Sequence, residues 1–470
     1  MPARQRFRLA LLAFCLSFAL RLAWAAWSQV TPVSDFRGYD LLAVHWLDTG
    51  VLGAPGHYAY RTPGYPAFLA LIYTAFGHSW KAVALVQAFL GGLTSALTAV
   101  LATYVLSSRG SLLAGLLHAL SPTALAYIPV LASENVAVFL LMAGLLLVAV
   151  ARRASGRGAN GAGLASGLLL GLVLLVRPAA VFFAPAWVFL LAYAPTRRRL
   201  LLLPAALTVA AAALVISPWL VRNHRLGLGP MTLSTAGGVN LAMGNNDLAV
   251  TGGYIREAQA TVDTENLTEV EADKAYRKAA IDWIRAHPGR YFALCATRLI
   301  RLLGVEPDWW AARYLLPEIV NDRLLRGTGG EKPSPDSHPS GTSARVDRIR
   351  AYSKLLLAGI RAVIAPLILL SLVLSFSRWR QHLVVVLPVL SYIVGLTLTY
   401  AQIRFRELID PLLFIPVAAF LADTLFGSHE LGELLNRRQK AVVGATLIMI
   451  TLGVHASGLA SSIYRLSPPH

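Results

Sequence analysis

The sequence predicts an all-α polytopic membrane protein. Three observations lead there: the share of apolar residues, the length of the apolar runs, and where the charges fall. Of 470 residues, 56% are hydrophobic and 14% charged, whereas soluble globular chains carry ~25% charged residues. Mean hydropathy is +0.58. The formal net charge of +18 comes from 42 Lys and Arg against 24 Asp and Glu. These basic residues fall in short clusters between apolar runs, as cytoplasmic loops of a polytopic protein do. No zinc-finger pattern and no basic helix interleaved with aromatics points to nucleic acid. Cys15 and Cys295 lie in an apolar and an amphipathic run, so no disulfide framework is expected.

Arg4, Arg6 and Arg8 precede an apolar run that reaches Trp27. Its end, Ala23-Trp24-Ala25, also suits a cleavable signal peptide, but the run's extent and the acidic segment beyond it favour a retained first span. Further runs able to cross a ~30 Å hydrocarbon core lie near 82–106, 111–128, 135–151, 161–176, 178–194, 200–220, 354–376, 383–400, 408–426 and 441–463. With the first, they make about eleven spans. Residues 65–76, opened by Pro63-Gly64-Tyr65-Pro66, are too few for an ordinary span and are expected to be re-entrant or interfacial. Charge parity supports this. If 65–76 does not cross, Arg4/Arg6/Arg8, Arg109, Arg152/Arg153/Arg157, Arg197/Arg198/Arg199, Arg378/Arg380 and Arg437/Arg438/Lys440 all share one face, the cytoplasmic one. The N-terminus is then inside and the C-terminus outside, and an inner-membrane location is expected.

This topology divides the chain into an N-terminal transmembrane module, 1–220, with a first extracytoplasmic loop at 28–81; an extracytoplasmic region, 221–353; and C-terminal transmembrane helices, 354–470. Within the middle region, Thr264 to His287 reads as a surface helix closed by His287-Pro288-Gly289. Residues 323–345, rich in Gly, Pro and Ser, read as a flexible segment. No internal repeat of the kind that marks many transporters is evident.

Ionisable residues gather at the outer ends of the spans: Asp35, Arg37, Asp40, Arg61, Glu134, Arg177, Arg222, Lys354, Arg361, Arg404, Arg406 and Glu407. Charge at membrane depth is expensive and marks function, although each cation also has a snorkelling reading. Asp35 either caps a following helix or stands at the mouth of the bundle with Tyr39 one turn on, able to take a proton from a hydroxyl nucleophile. Arg61 precedes Thr62-Pro63-Gly64-Tyr65-Pro66, and its planar, permanently charged fork matches phosphate oxygens. Arg404 and Arg406, followed by Glu407, offer a second such site, with lipid-headgroup contact as the alternative. No Gly-x-x-x-x-Gly-Lys loop indicates nucleotide energy, so a lipid phosphate is the expected ligand. No His-x-x-x-His, paired cysteines or clustered carboxylates have metal spacing, and no cofactor is assigned. Asp35 and Glu134, if they meet across spans, could hold a divalent ion, which is not assigned.

In order along the chain stand Ser34-Asp35-Phe36-Arg37-Gly38-Tyr39, Tyr60-Arg61-Thr62-Pro63-Gly64-Tyr65-Pro66, Ser133-Glu134, Val176-Arg177-Pro178, Ser217-Pro218-Trp219-Leu220-Val221-Arg222-Asn223, Gly237-Gly238-Val239-Asn240-Leu241 through Gly244-Asn245-Asn246, and Arg404-Phe405-Arg406-Glu407-Leu408-Ile409-Asp410-Pro411. Over residues 1 to 425 this series resembles the bacterial membrane glycosyltransferases of the GT-C fold, family 39, akin to protein O-mannosyltransferases and the lipid A aminoarabinose transferase. The resemblance implies a GT-C-like helical bundle, a sugar donor linked to a polyprenyl phosphate, transfer on the extracytoplasmic side, and a first-loop aspartate as catalytic base, here Asp35. Two differences leave the acceptor open. The first loop has a single acid at Asp35 where the protein mannosyltransferases pair Asp with Glu, and almost nothing follows the last span.

The expected function is therefore inverting transfer of a hexosyl or pentosyl group to an extracytoplasmic lipid, glycan or protein. Asp35 is the base, Arg61, Arg404 and Arg406 hold the donor phosphate, and Tyr39, Asp40, Glu134, Arg177, Arg222, Asn223 and Glu407 are further substrate-site candidates. A transporter or lipid flippase is the rival from another class, but it would put polar residues near mid-bilayer in paired halves. A surface-polysaccharide polymerase or ligase would use the same kind of donor.

Overall fold

The computed structural model describes residues 1–28, 32, 35–53, 57–194, 199–200, 202–229, 231–249, 261–303, 360, 363–375, 378–431, 439–440 and 442–449. The chain is an integral membrane protein built from helices. Among the described residues, six are long and apolar enough to cross a bilayer: α1 (Ala3–Trp27), α4 (Trp80–Ala102), α7 (Ser133–Arg153), α8 (Gly156–Val176), α10 (Leu202–Arg225) and α15 (Trp379–Leu398). Between them lie α2 (Asp35–Thr49), α3 (Gly64–Phe76), α5 (Ser108–Ala119), α6 (Pro122–Ala126), α9 (Ala184–Ala192), α11 (Ala236–Gly244), α12 (Glu269–Ala286) and α13 (Pro288–Leu303). A short apolar helix, α14 (Val363–Ser375), precedes α15, and α16 (Asp410–Phe426) follows it.

Two expected spans are broken, and proline is the cause in both. The run 111–128 is α5 and α6 with a break at Leu120-Ser121, because Pro122 has no N–H to continue the ladder and instead opens α6, capped by the Ser121 side chain. The run 178–194 begins with a 3-10 turn, Pro178–Phe183, before α9, whose own first turn contains Pro185. A two-residue antiparallel strand pair, Tyr193–Ala194 with Arg199–Leu200, follows. The helix expected over 264–287 starts later, at Glu269, where Thr268 and Glu271 form a reciprocal capping box. Of the expected spans 354–376 and 441–463, only 360, 363–375 and 442–449 are described. Segment 323–345, Lys354 and Arg361 lie outside the described residues.

The helices pack through small residues, as membrane helices do. Gly163, Gly167 and Gly171 line the α8 face against α10, and a Cβ at Gly167 would stand 2.3 Å from the Thr208 carbonyl oxygen. Large apolar side chains such as Leu11, Leu12 and Leu214 point outward, where lipid replaces water as the solvent. Among the buried charged side chains, one comes from the first helix. Arg21 of α1 is fully buried and donates to the His118 and Ala119 carbonyls, each at 3.0 Å, and to the Ser17 hydroxyl. It crosses Gly91 of α4 so closely that a Cβ there would meet its Cδ at 2.5 Å.

The two ends of the bundle separate cleanly. At one end, Tyr104 carries the Arg6 guanidinium at 4.9 Å and that of Arg153 at 4.4 Å, Arg109 lies over Phe426, and Arg152 donates to the Leu190 and Tyr193 carbonyls. The arginine clusters of residues 4–8, 109 and 152–157 thus share an end, as the parity expects. At 13 residues, α3 is ~20 Å long, too short for a ~30 Å core. Both its ends tie to the opposite end of the bundle, through Thr62 to the Val176 carbonyl and through Tyr73 to Asp40 of α2.

Candidate functional site

The site forms at that second end, where the loops before α2 and α3 meet the starts of α7 and α16. Asp35 is the first residue of α2. Its Oδ1 accepts from Arg61 Nη2 at 2.6 Å and its Oδ2 from Arg404 Nη2 at 2.8 Å. The Asp35 side chain remains 31% exposed and those of Arg61 and Arg404 25% and 19%, so the triad is open to an incoming ligand. Burial alone would raise the Asp35 carboxyl, but the charges of Arg61 and Arg404 outweigh it and hold the group well below the usual carboxylate range.

Arg404 extends the network inward. Its Nε lies 4.0 Å from Glu134 Oε1, and that oxygen pairs with Arg177 Nη1 at 2.7 Å. Arg177 also donates to the Ser133 hydroxyl at 3.1 Å. Phe405 packs against both guanidiniums, at 5.0 Å from Arg177 and 5.8 Å from Arg404. The sequence explains why these meet: Ser133-Glu134 opens α7, Arg177 ends α8, and Arg404 sits on the 3-10 turn Ile403–Leu408 that joins α15 to α16. Charges alternate from Arg61 through Asp35, Arg404 and Glu134 to Arg177. Three guanidiniums against two carboxylates leave one positive charge, which suits an anion. Arg61 is held from the side by aromatic rings, Tyr39 at 5.1 Å and Tyr60 at 5.3 Å, and Tyr39 in turn packs edge-on against Tyr65.

Other residues singled out from the sequence lie elsewhere. Asp40 is buried, and its Oδ1 accepts from Tyr73 Oη at 2.5 Å and Trp80 Nε1 at 3.1 Å, with His78 Nε2 at 2.9 Å. It fastens α2 to α3 and α4. Arg222 donates to the carbonyls of Leu52 and Tyr58 and to Asn223, and Asn223 donates to the Thr232 carbonyl; both therefore bind loop backbone. Arg406 is buried, with its Nε 3.5 Å from Asp410 Oδ1, four residues on. Glu407 faces a small cavity of about 20 Å³ that Glu134, Asn135, Tyr127, His118 and Arg21 also line, space for about one water. Asp35 and Glu134, the pair considered for a divalent ion, share the Arg404 guanidinium between them. Among the described residues no group of three or more His, Cys, Asp or Glu is placed to hold a metal. Phe405 and Ser133 stand in the motif series but carry no site role there, since an apolar ring and a hydroxyl give no signal until their neighbours are known.

Residues 60–221, which hold Arg61, Glu134 and Arg177, match the family model described as dolichyl-phosphate-mannose-protein mannosyltransferase. No curated protein is significantly similar in sequence. In structure, the chain is similar to the oligosaccharyltransferase of Archaeoglobus fulgidus tethered with an acceptor peptide containing the NVT sequon, at 13% identity and a TM-score of 0.50, covering 98% of this chain and 55% of that one. The same enzyme in complex with Zn and sulfate gives 14% identity and a TM-score of 0.50 over 94% and 53%. ArnT from Cupriavidus metallidurans in the apo state gives 13% and 0.41 over 88% and 78%. The chain spans about half the length of the archaeal enzyme. The bundle has the GT-C fold of membrane glycosyltransferases, as the motif series implies.

Proposed function

We propose that this protein is a membrane glycosyltransferase that moves a sugar from a polyprenyl-phosphate carrier to an acceptor hydroxyl, with inversion. The observation that carries the reading is the Asp35 carboxylate shared between Arg61 and Arg404 at a partly open end of the bundle. A carboxylate held by two guanidiniums is a poor base. The donor phosphate presents the same guanidiniums with a better-matched anion. As it draws Arg61 and Arg404 toward itself, Asp35 loses its cations and its proton affinity rises toward the ordinary carboxylate value. Asp35 then takes the acceptor hydroxyl proton while the acceptor oxygen attacks the anomeric carbon. The bond from that carbon to the phosphate oxygen breaks, the electron pair leaves with the lipid phosphate, and the arginines stabilise the charge that grows there. One displacement gives one inversion.

Glu134 and Arg177 supply the second layer, fixing Arg404 from behind so that the fork keeps its aim. The match of residues 60–221 to a family named for a dolichyl-phosphate-linked donor supports the carrier class. The exposed end belongs outside the cytoplasm of a bacterial inner membrane, with the arginine-rich end inside. A hexosyl or pentosyl group fits this chemistry equally, and so does a lipid, glycan or protein acceptor.

The test is to incubate the purified protein with polyprenyl-phosphate sugars and follow release of the lipid phosphate by mass spectrometry. Release that depends on both Asp35 and added acceptor is the expected result; no release from any such donor would remove the proposal. Orientation is checked separately by labelling cysteines placed at 152 and 61, with only the second accessible from outside.

A further inference from the structure

We infer that Glu269 is a positioning residue for donor binding: its carboxylate fixes the Tyr58–Arg61 segment that delivers Arg61 to Asp35. The inference rests on the transferase reading above. Glu269 lies 208 positions from Arg61, by subtraction of their sequence numbers, as the first residue of α12, directly after the Thr268 cap. Its side chain does not face solvent as a helix-start acid usually does. Oε2 accepts from the Tyr58 N–H at 2.6 Å, both oxygens accept from the Ala59 N–H at 3.1 and 3.3 Å, and Oε1 accepts from the Thr235 hydroxyl at 2.5 Å.

Two adjacent backbone donors in the loop before α3 are thus satisfied by one carboxylate from the distant middle region. The opposite edge of the same segment is held by neighbours of Thr235. The Thr235 N–H donates to the Ala59 carbonyl at 3.1 Å and the Ser234 hydroxyl to the Tyr60 carbonyl at 2.8 Å. Arg222 adds a bond to the Tyr58 carbonyl at 3.1 Å. The N–H and C=O of Tyr58 and Ala59 and the C=O of Tyr60 are all tied to residues 222 to 269, and Glu269 contributes charge-assisted bonds to the two N–H groups.

The consequence falls on Arg61, the next residue. Its guanidinium has to reach both Asp35 and an arriving phosphate, and a displacement of ~1 Å at such a group costs up to ~100-fold in rate. A clamp made of backbone bonds gives the segment one position without putting a second charge beside the phosphate. Thr235 plays the smaller part of orienting Oε1.

The experiment compares Glu269→Gln, Thr235→Val and Arg61→Ala, singly and combined, in the purified full-length protein with a polyprenyl-phosphate sugar as donor. Glu269→Gln should raise the donor KM about ten-fold with acceptor KM unchanged, and Thr235→Val should raise it less. In the Arg61→Ala background, Glu269→Gln should add no further loss, because its effect runs through Arg61. If Glu269 only stabilises the fold, Glu269→Gln lowers the unfolding temperature, leaves donor KM per folded molecule unchanged and adds fully to Arg61→Ala, which overturns the inference. If Glu269→Gln does not fold, Thr235→Val carries the same comparison. Wild-type protein that releases no lipid phosphate would instead overturn the transferase reading itself.

Discussion

Each end of the bundle is tied by a carboxylate shared among several partners, yet the two are built for different purposes. At the arginine-rich end, Asp423 pairs with Lys440 at 2.6 Å, with the side chains 2% and 4% exposed, and the Glu430 and Leu431 N–H groups fill the rest of its carboxylate. At the other end, Asp35 spends its oxygens on two guanidiniums that stay a fifth to a quarter exposed. The first pair is closed, its carboxylate satisfied by backbone N–H groups and by a buried cation. The second is partly open to solvent, and under the proposed function either guanidinium turns to the donor phosphate. Burial and backbone satisfaction thus separate a closed ion pair from an open one when the residue types do not.

The sharpest way to break that contrast is at the closed end. Lys440→Ala should cost about 3–5 kcal/mol, the scale for an uncompensated buried charge, read as a lower unfolding temperature in detergent, with turnover per folded molecule unchanged. A variant as stable as wild type would erase the difference between the ends. At the open end the order reverses. Asp35→Asn should keep the unfolding temperature within a few degrees and lower turnover ~100-fold or more, the scale of general-base loss; activity within a few-fold of wild type would leave Asp35 a helix-start residue and no more.

A smaller effect is expected from Arg404→Lys, which keeps the charge but loses the fork that spans Asp35 and the phosphate. It should slow turnover ~10-fold, and Arg404→Ala should slow it further. The same series at Arg61 should behave alike, whereas at Arg406, which lies against Asp410, the change should appear in stability. Equal rates for Arg, Lys and Ala at both 61 and 404 would dismiss them as phosphate ligands.

The smallest effect is a shift in pH. Because Arg61 and Arg404 lower the Asp35 carboxyl, the free enzyme keeps it ionised to below the ordinary range, and the stability its ion pairs contribute is present above the unfolded value of ~3.9 and lost only as pH falls through the lowered one. Removing Arg404 takes away one of the lowering charges. The acid limb of kcat/KM in Arg404→Ala should therefore move to higher pH by about one unit; a limb that stays in place would mean that Asp35 does not set it.

Which residues matter was more legible in the sequence than how they pair. Asp35, Arg61, Glu134, Arg177 and Arg404 stand out because charge is rare in an apolar chain and costly at membrane depth. Their pairing was not readable: Asp35 and Arg404 are 369 positions apart, and no local pattern links them. Asp40 and Arg222 carry the same charges as their neighbours and differ only in what surrounds them, a His78–Trp80 corner in one case and loop carbonyls in the other. Glu269 looked like an ordinary surface-helix acid, and only the fold shows two N–H groups beneath it. The prolines at 122, 178 and 185 that cause the breaks were visible as residues, but an apolar run reports burial and not backbone continuity.

Arg21 has a consequence for how the chain is made. It lies in α1, six residues before that helix ends at Trp27, and an arginine within a spanning helix is costly on insertion, ~2.5–3.5 kcal/mol at the helix centre and less toward its ends. Its acceptors, the His118 and Ala119 carbonyls, sit at the end of α5 just before the proline break, so they reach the membrane almost a hundred residues later, by the 97 and 98 positions that separate them from Arg21. Until α4 and α5 arrive, Arg21 lacks these two acceptors, and α1 is expected to stay in the insertion machinery or tilt toward a headgroup. Synthesis through Ala119 is then expected to be the step that commits α1 to the bundle. A chain stalled short of that point should be extracted and degraded, whereas one stalled just beyond it should persist.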